Sequence, residues 1–189
     1  WRSWWLKTRG TRSRVDTISG PWMRATLSAQ RGSAHGPGKS FMIDEALLEF
    51  VDTNVLVYAH DKSAGRRHDV AKELSRRQWD SGRGCLSVQF PQDFYVIVTK
   101  KTRRPLDPEE ARQVIHDLAL WRTFAPEAAD ALGAIDLARK HDASFWDAMV
   151  LRSAGQLGCD IMWSVDLNSE QTYDGVRVVN PLQPSIGSA

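Results

Sequence analysis

From residue 47 onward, short apolar runs alternate with amphipathic stretches. That is the pattern of βαβ units, whose parallel strands are covered by helices on both faces. Leu47 to Val51 predicts a first strand, which breaks off into Asp52-Thr53-Asn54. Val55 to Ala59 continues as a short helix, and Asp61 to Gly65 reads as a loop. Arg67 to Trp79 sets Val70, Ala71 and Leu74 on one helical face, and the glycines of Ser81-Gly82-Arg83-Gly84 stop it. Cys85 to Val88 predicts a second strand. The run Phe94 to Val98 has strand-like composition, but the length of Phe90 to Thr102 and Pro91 in its first turn predict a helix. Asp93 then lies in that first turn.

Downstream, Asp107-Pro108-Glu109-Glu110 announces a helix with Asp107 as N-cap and Glu110 completing a capping box; Ala111, Val114, Ile115 and Leu118 form its buried stripe. A further helix from Pro126 to Lys140 is expected to turn Leu132, Ile135 and Ala138 inward, with His141 at its end. Ser144-Phe145-Trp146-Asp147 opens a helix running to Leu157 and closed by Gly158. Asp160 to Val165 predicts a strand that ends, like the first, in an acid, Asp166. After a polar loop through Glu170, Val176 to Val179 supplies a last strand, and residues 183–189 read as a flexible end. The fold class is α/β.

Composition adds little to this until charge is placed along the chain. The 189 residues suit one domain with a tail, and no apolar run approaches the length of a membrane span, so the expectation is a soluble, cytoplasmic protein. Two isolated cysteines, Cys85 and Cys159, offer no zinc-ligand spacing and read as small buried thiols. Residues 1–41, however, carry eight Lys and Arg against one Asp, a net +7, which leaves −5 for the rest of a +2 chain. This basic segment has no helical or strand period and reads as a disordered or non-native extension, with a nucleic-acid-binding arm as the functional alternative. The chain begins at Trp1, and Met42 is a candidate start for the domain at residues 42–182. Gly36-Pro37-Gly38-Lys39-Ser40 imitates a phosphate-binding loop, but Ser33 stands where glycine is required and no strand precedes it.

The candidate chemistry lies in four acids. Asp52 and Asp166 follow strands, where ligands of open parallel sheets collect. Asp93 and Asp147 sit in first helical turns, where the bland roles are a charge–dipole contact and, for Asp147 after Ser144, a cap.

The ordered set Phe50-Val51-Asp52-Thr53-Asn54-Val55-Leu56-Val57-Tyr58-Ala59, Ser87-Val88-Gln89 before Asp93-Phe94-Tyr95, Ser144-Phe145-Trp146-Asp147-Ala148 and Ser164-Val165-Asp166-Leu167 resembles a PIN domain of the VapC toxin type. The resemblance covers residues 42–182. It implies a three-layer α/β/α fold with a central, mostly parallel sheet and a metal-dependent ribonuclease leaving 5′-phosphate ends. It also implies a homodimer and, in bacteria, a small VapB-like antitoxin as partner. By position it makes Asp52, Asp93, Asp147 and Asp166 the catalytic, metal-binding quartet, with Thr53, Asn54 and Ser164 as supporting polar groups. Two positions depart from the family: Asp93 replaces the usual Glu, and Val165 stands where an acid is common, with Glu170 the nearest substitute.

Four carboxylates in one cleft repel one another, and a hard divalent cation resolves this; oxygen donors without Cys or His suit Mg2+ or Mn2+. Such an ion can orient a scissile phosphate and activate water, so none of His60, His68, His116 or His141 is needed as a base. RNA must still be drawn to an acidic site. Lys100, Lys101, Arg103 and Arg104 are candidate RNA-binding residues for that purpose, and Arg66 and Arg67 form a second basic pair after the Asp52 segment. The competing expectation is a catalytically weakened PIN-like module that binds RNA or protein without cutting. A phosphoacceptor receiver domain ranks behind both, since it wants an acidic pair where Asp52-Thr53-Asn54 stands.

Overall fold

The computed structural model describes residues 47–183. The basic extension, Met42 and the glycine-rich near-motif lie outside the described residues, as does the end beyond residue 183. Thirteen elements follow in order: β1 (Leu48–Val51), α1 (Thr53–His60), a 3-10 turn (Lys62–Ala64), α2 (Arg66–Ser81), β2 (Gly84–Ser87), α3 (Phe90–Lys100), α4 (Pro108–Leu118), β3 (Arg122–Phe124), α5 (Ala128–His141), α6 (Phe145–Gln156), β4 (Cys159–Trp163), β5 (Thr172–Tyr173) and β6 (Val176–Val179).

The six strands form one sheet in the order β3-β2-β1-β4-β6-β5, parallel except for the β5–β6 pair. Side chains alternate between its two faces, as the strand period requires. Val51 and Leu86 join a core made with α1, α2, α3 and α4, through Val55, Leu56, Leu74, Phe94 and Val114 among others. Phe50, Cys85 and Met162 face the opposite core, with Ala134, Leu137, Ala148 and Leu151 of α5 and α6. These are the three layers, α/β/α. Both cysteines are free and buried, as their isolation in the sequence suggests.

Caps explain several element starts. Asp107 accepts from the Glu109 N–H at 2.9 Å while Glu110 accepts from the Asp107 N–H at 3.2 Å, the expected capping box. α2 closes on Gly82 in the left-handed conformation (φ 67°), which costs glycine nothing.

Three expectations need correction. The sequence pattern predicts neither β3 nor β5, both of them short edge strands. On α5 the buried face is Asp130, Ala134 and Leu137, whereas Leu132 and Ile135 are 66% and 44% exposed. The physical reason is an ion pair: Asp130 accepts from Arg152 Nε of α6 at 3.0 Å, and a Cβ on Gly133, one turn on, would stand 2.5 Å from that guanidinium. A charged and small-residue seam therefore faces α6, and the larger aliphatics are left outside.

Candidate active site

The sheet's strand order reverses between β1 and β4: β2 and β3 extend one way from β1, while β4, β6 and β5 extend the other. Crevices at such switch points, beyond the strands' carboxyl ends, are where open α/β sheets hold ligands. Phe50 pairs with Met162 and Val51 with Trp163, so β1 and β4 end level with each other. Asp52 follows the one strand directly, and Ser164 and Asp166 follow the other.

A cleft of about 210 Å³ opens at this point. Asp52, Asp93, Asp147 and Asp166 all line it, together with Thr53 and Asn54. Asp93 arrives from the first turn of α3 and Asp147 from the first turn of α6, so helices of both outer layers direct a carboxylate to the switch point. Ser164 lies beneath the cleft, fully buried.

The bonds at Asp52 separate chemistry from capping. Asp52 occupies the N-cap position of α1, yet its side chain makes no cap bond to that helix. Instead Ser164 Oγ donates to Asp52 Oδ2 at 2.8 Å and accepts from the Asp166 N–H at 3.3 Å, tying the two strand ends together. Asn54 Nδ2 donates to Asp166 Oδ2 at 2.5 Å and lies 3.4 Å from Asp52 Oδ2, so its amide spans the gap between the two carboxylates. Asp147 is partly a capping residue. Ser144 Oγ accepts from the Asp147 N–H at 3.1 Å and donates to Asp147 Oδ2 at 2.7 Å, but the carboxylate does not reach back to a backbone N–H.

The electrostatics divide the quartet. Burial pushes the Asp52 carboxyl up to about 6, against the pull of the Ser164 hydrogen bond, and the charges of Asp166 and Asp147 push the same way. Burial likewise raises Asp166, reinforced by Asp147 and opposed by Asn54. Asp93 is raised by burial and held back by Lys101, with no contribution from the other acids. Asp52, Asp147 and Asp166 thus form an interacting group, and Asp93 lines the same cleft apart from it.

Among the described residues, no three acidic, histidine or cysteine side chains stand close enough together to make a ready-made cation cage. The donor chemistry nevertheless fits a hard divalent cation: all oxygen, mutually repelling, and partly shielded from water. Glu170 does not supply the missing acid. It is exposed, outside the cleft, and 3.7 Å from Arg177. Nor do the histidines enter. His60 is buried with its ring edge-on to Phe94 and its Nδ1 2.8 Å from the Leu56 carbonyl; burial lowers its pKa, keeping it neutral.

Lys100, Lys101, Arg103 and Arg104 are exposed but none lines the cleft. They lie at the far end of α3 from Asp93, a helix of 11 residues and so roughly 16 Å long at 1.5 Å per residue. Only Lys101 is felt at the site, through Asp93. The sequence pattern also misses lining residues, Trp146 and Gln92 among them. Trp146 is 58% exposed, and the one signal for it is a large aromatic immediately before a helix-start acid.

A comparison with curated protein sequences finds no match. Among solved structures, a toxin–antitoxin complex from Klebsiella pneumoniae is similar with a TM-score of 0.52 at 18% identity, covering 72% of this chain and 99% of that one. The VapC20 toxin of Mycobacterium tuberculosis, described as cleaving the sarcin–ricin loop, gives 0.49 at 21% identity, covering 62% and 89%. DNA-bound VapBC from Salmonella typhimurium gives 0.49 at 19%, covering 70% and 96%. The family model described as PIN domain matches residues 50–174, a span from β1 to β5 that holds all four acids and more than half of the chain. The protein belongs to the PIN domain family.

Proposed function

We propose that this protein is a metal-dependent endoribonuclease, the toxin of a type II toxin–antitoxin pair, hydrolysing RNA phosphodiester bonds at the Asp52 cleft. One observation carries the reading: in a PIN domain, four acids from two strand ends and two helix starts line a single cleft at the switch point of the sheet. The solved toxin–antitoxin structures of similar fold support a small VapB-like antitoxin as partner, and the same family resemblance supports a homodimer acting in the cytoplasm.

Asp52, Asp147 and Asp166, with Asp93, are the residues that would hold the Mg2+ or Mn2+. Bound there, the cation would offset the repulsion among the carboxylates and polarise a phosphodiester. The chain's own residues do the rest. Ser164 fixes the Asp52 carboxylate and, through the Asp166 N–H, the backbone of the second strand end. Asn54 holds Asp166 and spans the gap to Asp52 through the same amide. Phe90, Ile97, Val150 and Leu167 give the cleft apolar walls that limit water around the reacting group. Lys100, Lys101, Arg103 and Arg104 are assigned to the outer field that attracts RNA.

The second reading, a PIN module that binds without cutting, is favoured by two features: Asp93 stands electrostatically apart, and neither Val165 nor Glu170 adds a further acid to the cleft beside Asp166. RNA cleavage assayed with Mg2+, with Mn2+ and with EDTA separates the two. The nuclease reading expects cation-dependent cleavage that falls by orders of magnitude in Asp52→Asn and in Asp147→Asn, equivalent to several kcal/mol of transition-state stabilisation. RNA binding without cleavage under any of these conditions supports the second reading, and cleavage that persists in EDTA overturns the metal mechanism.

A further inference from the structure

A second depression, of about 550 Å³, adjoins the acidic cleft. Asp166 lines both, so the two run together at the end of β4. Around the second one stand Tyr58 of α1, Arg66 and Arg67 of α2, Val165, and Asn180 after β6. Its chemistry differs from the cleft's: beyond the shared Asp166, the charged groups that line it are two arginines.

These two arginines differ from the four that carry ion pairs among the described residues. Arg76, Arg112, Arg152 and Arg177 each pair with a carboxylate. Arg66 and Arg67 pair with none among the described residues, and both are exposed. Arg67 is also held in place. Its guanidinium lies 5.6 Å from the Tyr58 ring centroid and donates to the Tyr58 hydroxyl at 3.2 Å. A guanidinium positioned by an aromatic and lacking an acid partner has its remaining donors available for phosphate. Val165 adds a second point. The position where an acid would be expected is apolar and forms part of this groove's wall, so the passage between Asp166 and the arginines carries no further negative charge.

Resting on the nuclease reading, we propose that this groove holds the sugar–phosphate backbone of a single RNA strand on one side of the scissile bond, with Arg66 and Arg67 each taking a phosphate. The acidic cleft admits the reacting phosphodiester, and the strand continues past Asp166 and the uncharged Val165 into the basic groove. Charge complementarity names the occupant: a polyanion that passes through an acidic site needs cations immediately beyond it.

The test uses the full chain and a short labelled oligouridylate, with binding followed by fluorescence anisotropy in EDTA across a range of salt. Arg66→Gln/Arg67→Gln is expected to flatten the dependence of log K on log salt by about 1.4, since each phosphate of a single strand that is no longer neutralised accounts for about 0.7. Arg66→Lys/Arg67→Lys should keep the slope, and so should Arg76→Gln/Arg112→Gln, which removes two ion-paired arginines elsewhere. In the presence of cation, the Gln double variant should cut RNA more slowly yet hydrolyse bis(p-nitrophenyl) phosphate, too small to reach the groove, at the wild-type rate. An unchanged slope in the Gln variant overturns the proposal, as does an equal loss in the Arg76/Arg112 control. If the Gln variant keeps its RNA slope but loses affinity for poly-L-glutamate, the groove takes an acidic protein segment and the proposal falls. A flattened slope in a protein that hydrolyses neither substrate supports the groove and sinks only the nuclease reading.

Discussion

Burial holds the Asp52 carboxyl near pH 6, so without a cation it is charged at neutral pH only at a cost to the fold. The sign follows from the shift. A carboxyl raised from 3.8 binds more protons folded than unfolded, so the fold loses stability as pH rises between those values, and the full penalty stands above 6. Asp52→Asn removes that penalty while keeping an oxygen to accept from Ser164. Its expected effect on the metal-free protein at pH 7.5 to 8 is a gain of about 1 kcal/mol, seen as a melting temperature higher by about 2–4 °C. A lower melting temperature would mean that Asp52 is a structural acid. The same residue shows where the sequence stops being informative. A strand-end Asp before a helix has the spacing of an N-cap whether or not it caps; only the Ser164 bond and the missing cap bond decide. For Asp107 the same position does produce a cap, through the bond its carboxylate accepts from the Glu109 N–H. Trp146 makes the opposite case, a residue whose exposure no periodicity announces. With its ring open at the cleft rim, it can stack an RNA base, and Trp146→Ala is expected to weaken RNA binding by about 1–3 kcal/mol while Trp146→Phe restores most of it. Equal binding by both variants and wild type would remove Trp146 from the substrate path.

Elements are legible where large apolar residues carry the period. Leu74, Val114 and Leu118 are buried as their spacing predicts, and α1, α2 and α3 run within a few residues of the expected bounds. α5 departs from its pattern for a physical reason: its buried face is made of Asp130, Ala134 and Leu137, and two of those three carry little hydrophobic signal against the exposed Leu132 and Ile135. β3 escapes notice because its first two residues are exposed and it has only three, and β5 because it has two. The edge of the sheet depends instead on close packing that a pattern cannot show. A Cβ on Gly84 of β2 would stand 2.5 Å from the Trp121 ring, which itself packs on Trp79. Gly84→Ala is therefore expected to destabilise by about 1–3 kcal/mol, read as a lower urea midpoint with an unchanged m-value. An unchanged midpoint would show that Trp121 can move aside freely.

At the scale of the whole molecule, the candidate site arises from topology more than from any segment. Asp52, Asp93, Asp147 and Asp166 are spread over more than a hundred residues, and the reversal of strand order between β1 and β4 places the strand ends and helix starts that carry them around one cleft. The sequence motifs announce the four acids and their order, and the family match places all of them within a PIN domain. Asp93 already stands out in the sequence, where it replaces the family's usual Glu; that the other three interact without it becomes visible only in the folded chain. The central claim is that this group binds a divalent cation through Asp52. Calorimetric titration of the full chain with Mn2+, for wild type and Asp52→Asn across pH 5 to 8, tests it directly. Because a proton competes for a carboxyl raised to about 6, wild-type affinity should climb by about tenfold per pH unit below that value and level off above it. Asp52→Asn should bind weakly at every pH. Tight Mn2+ binding by Asp52→Asn, or wild-type binding that is flat across the range, would contradict the account.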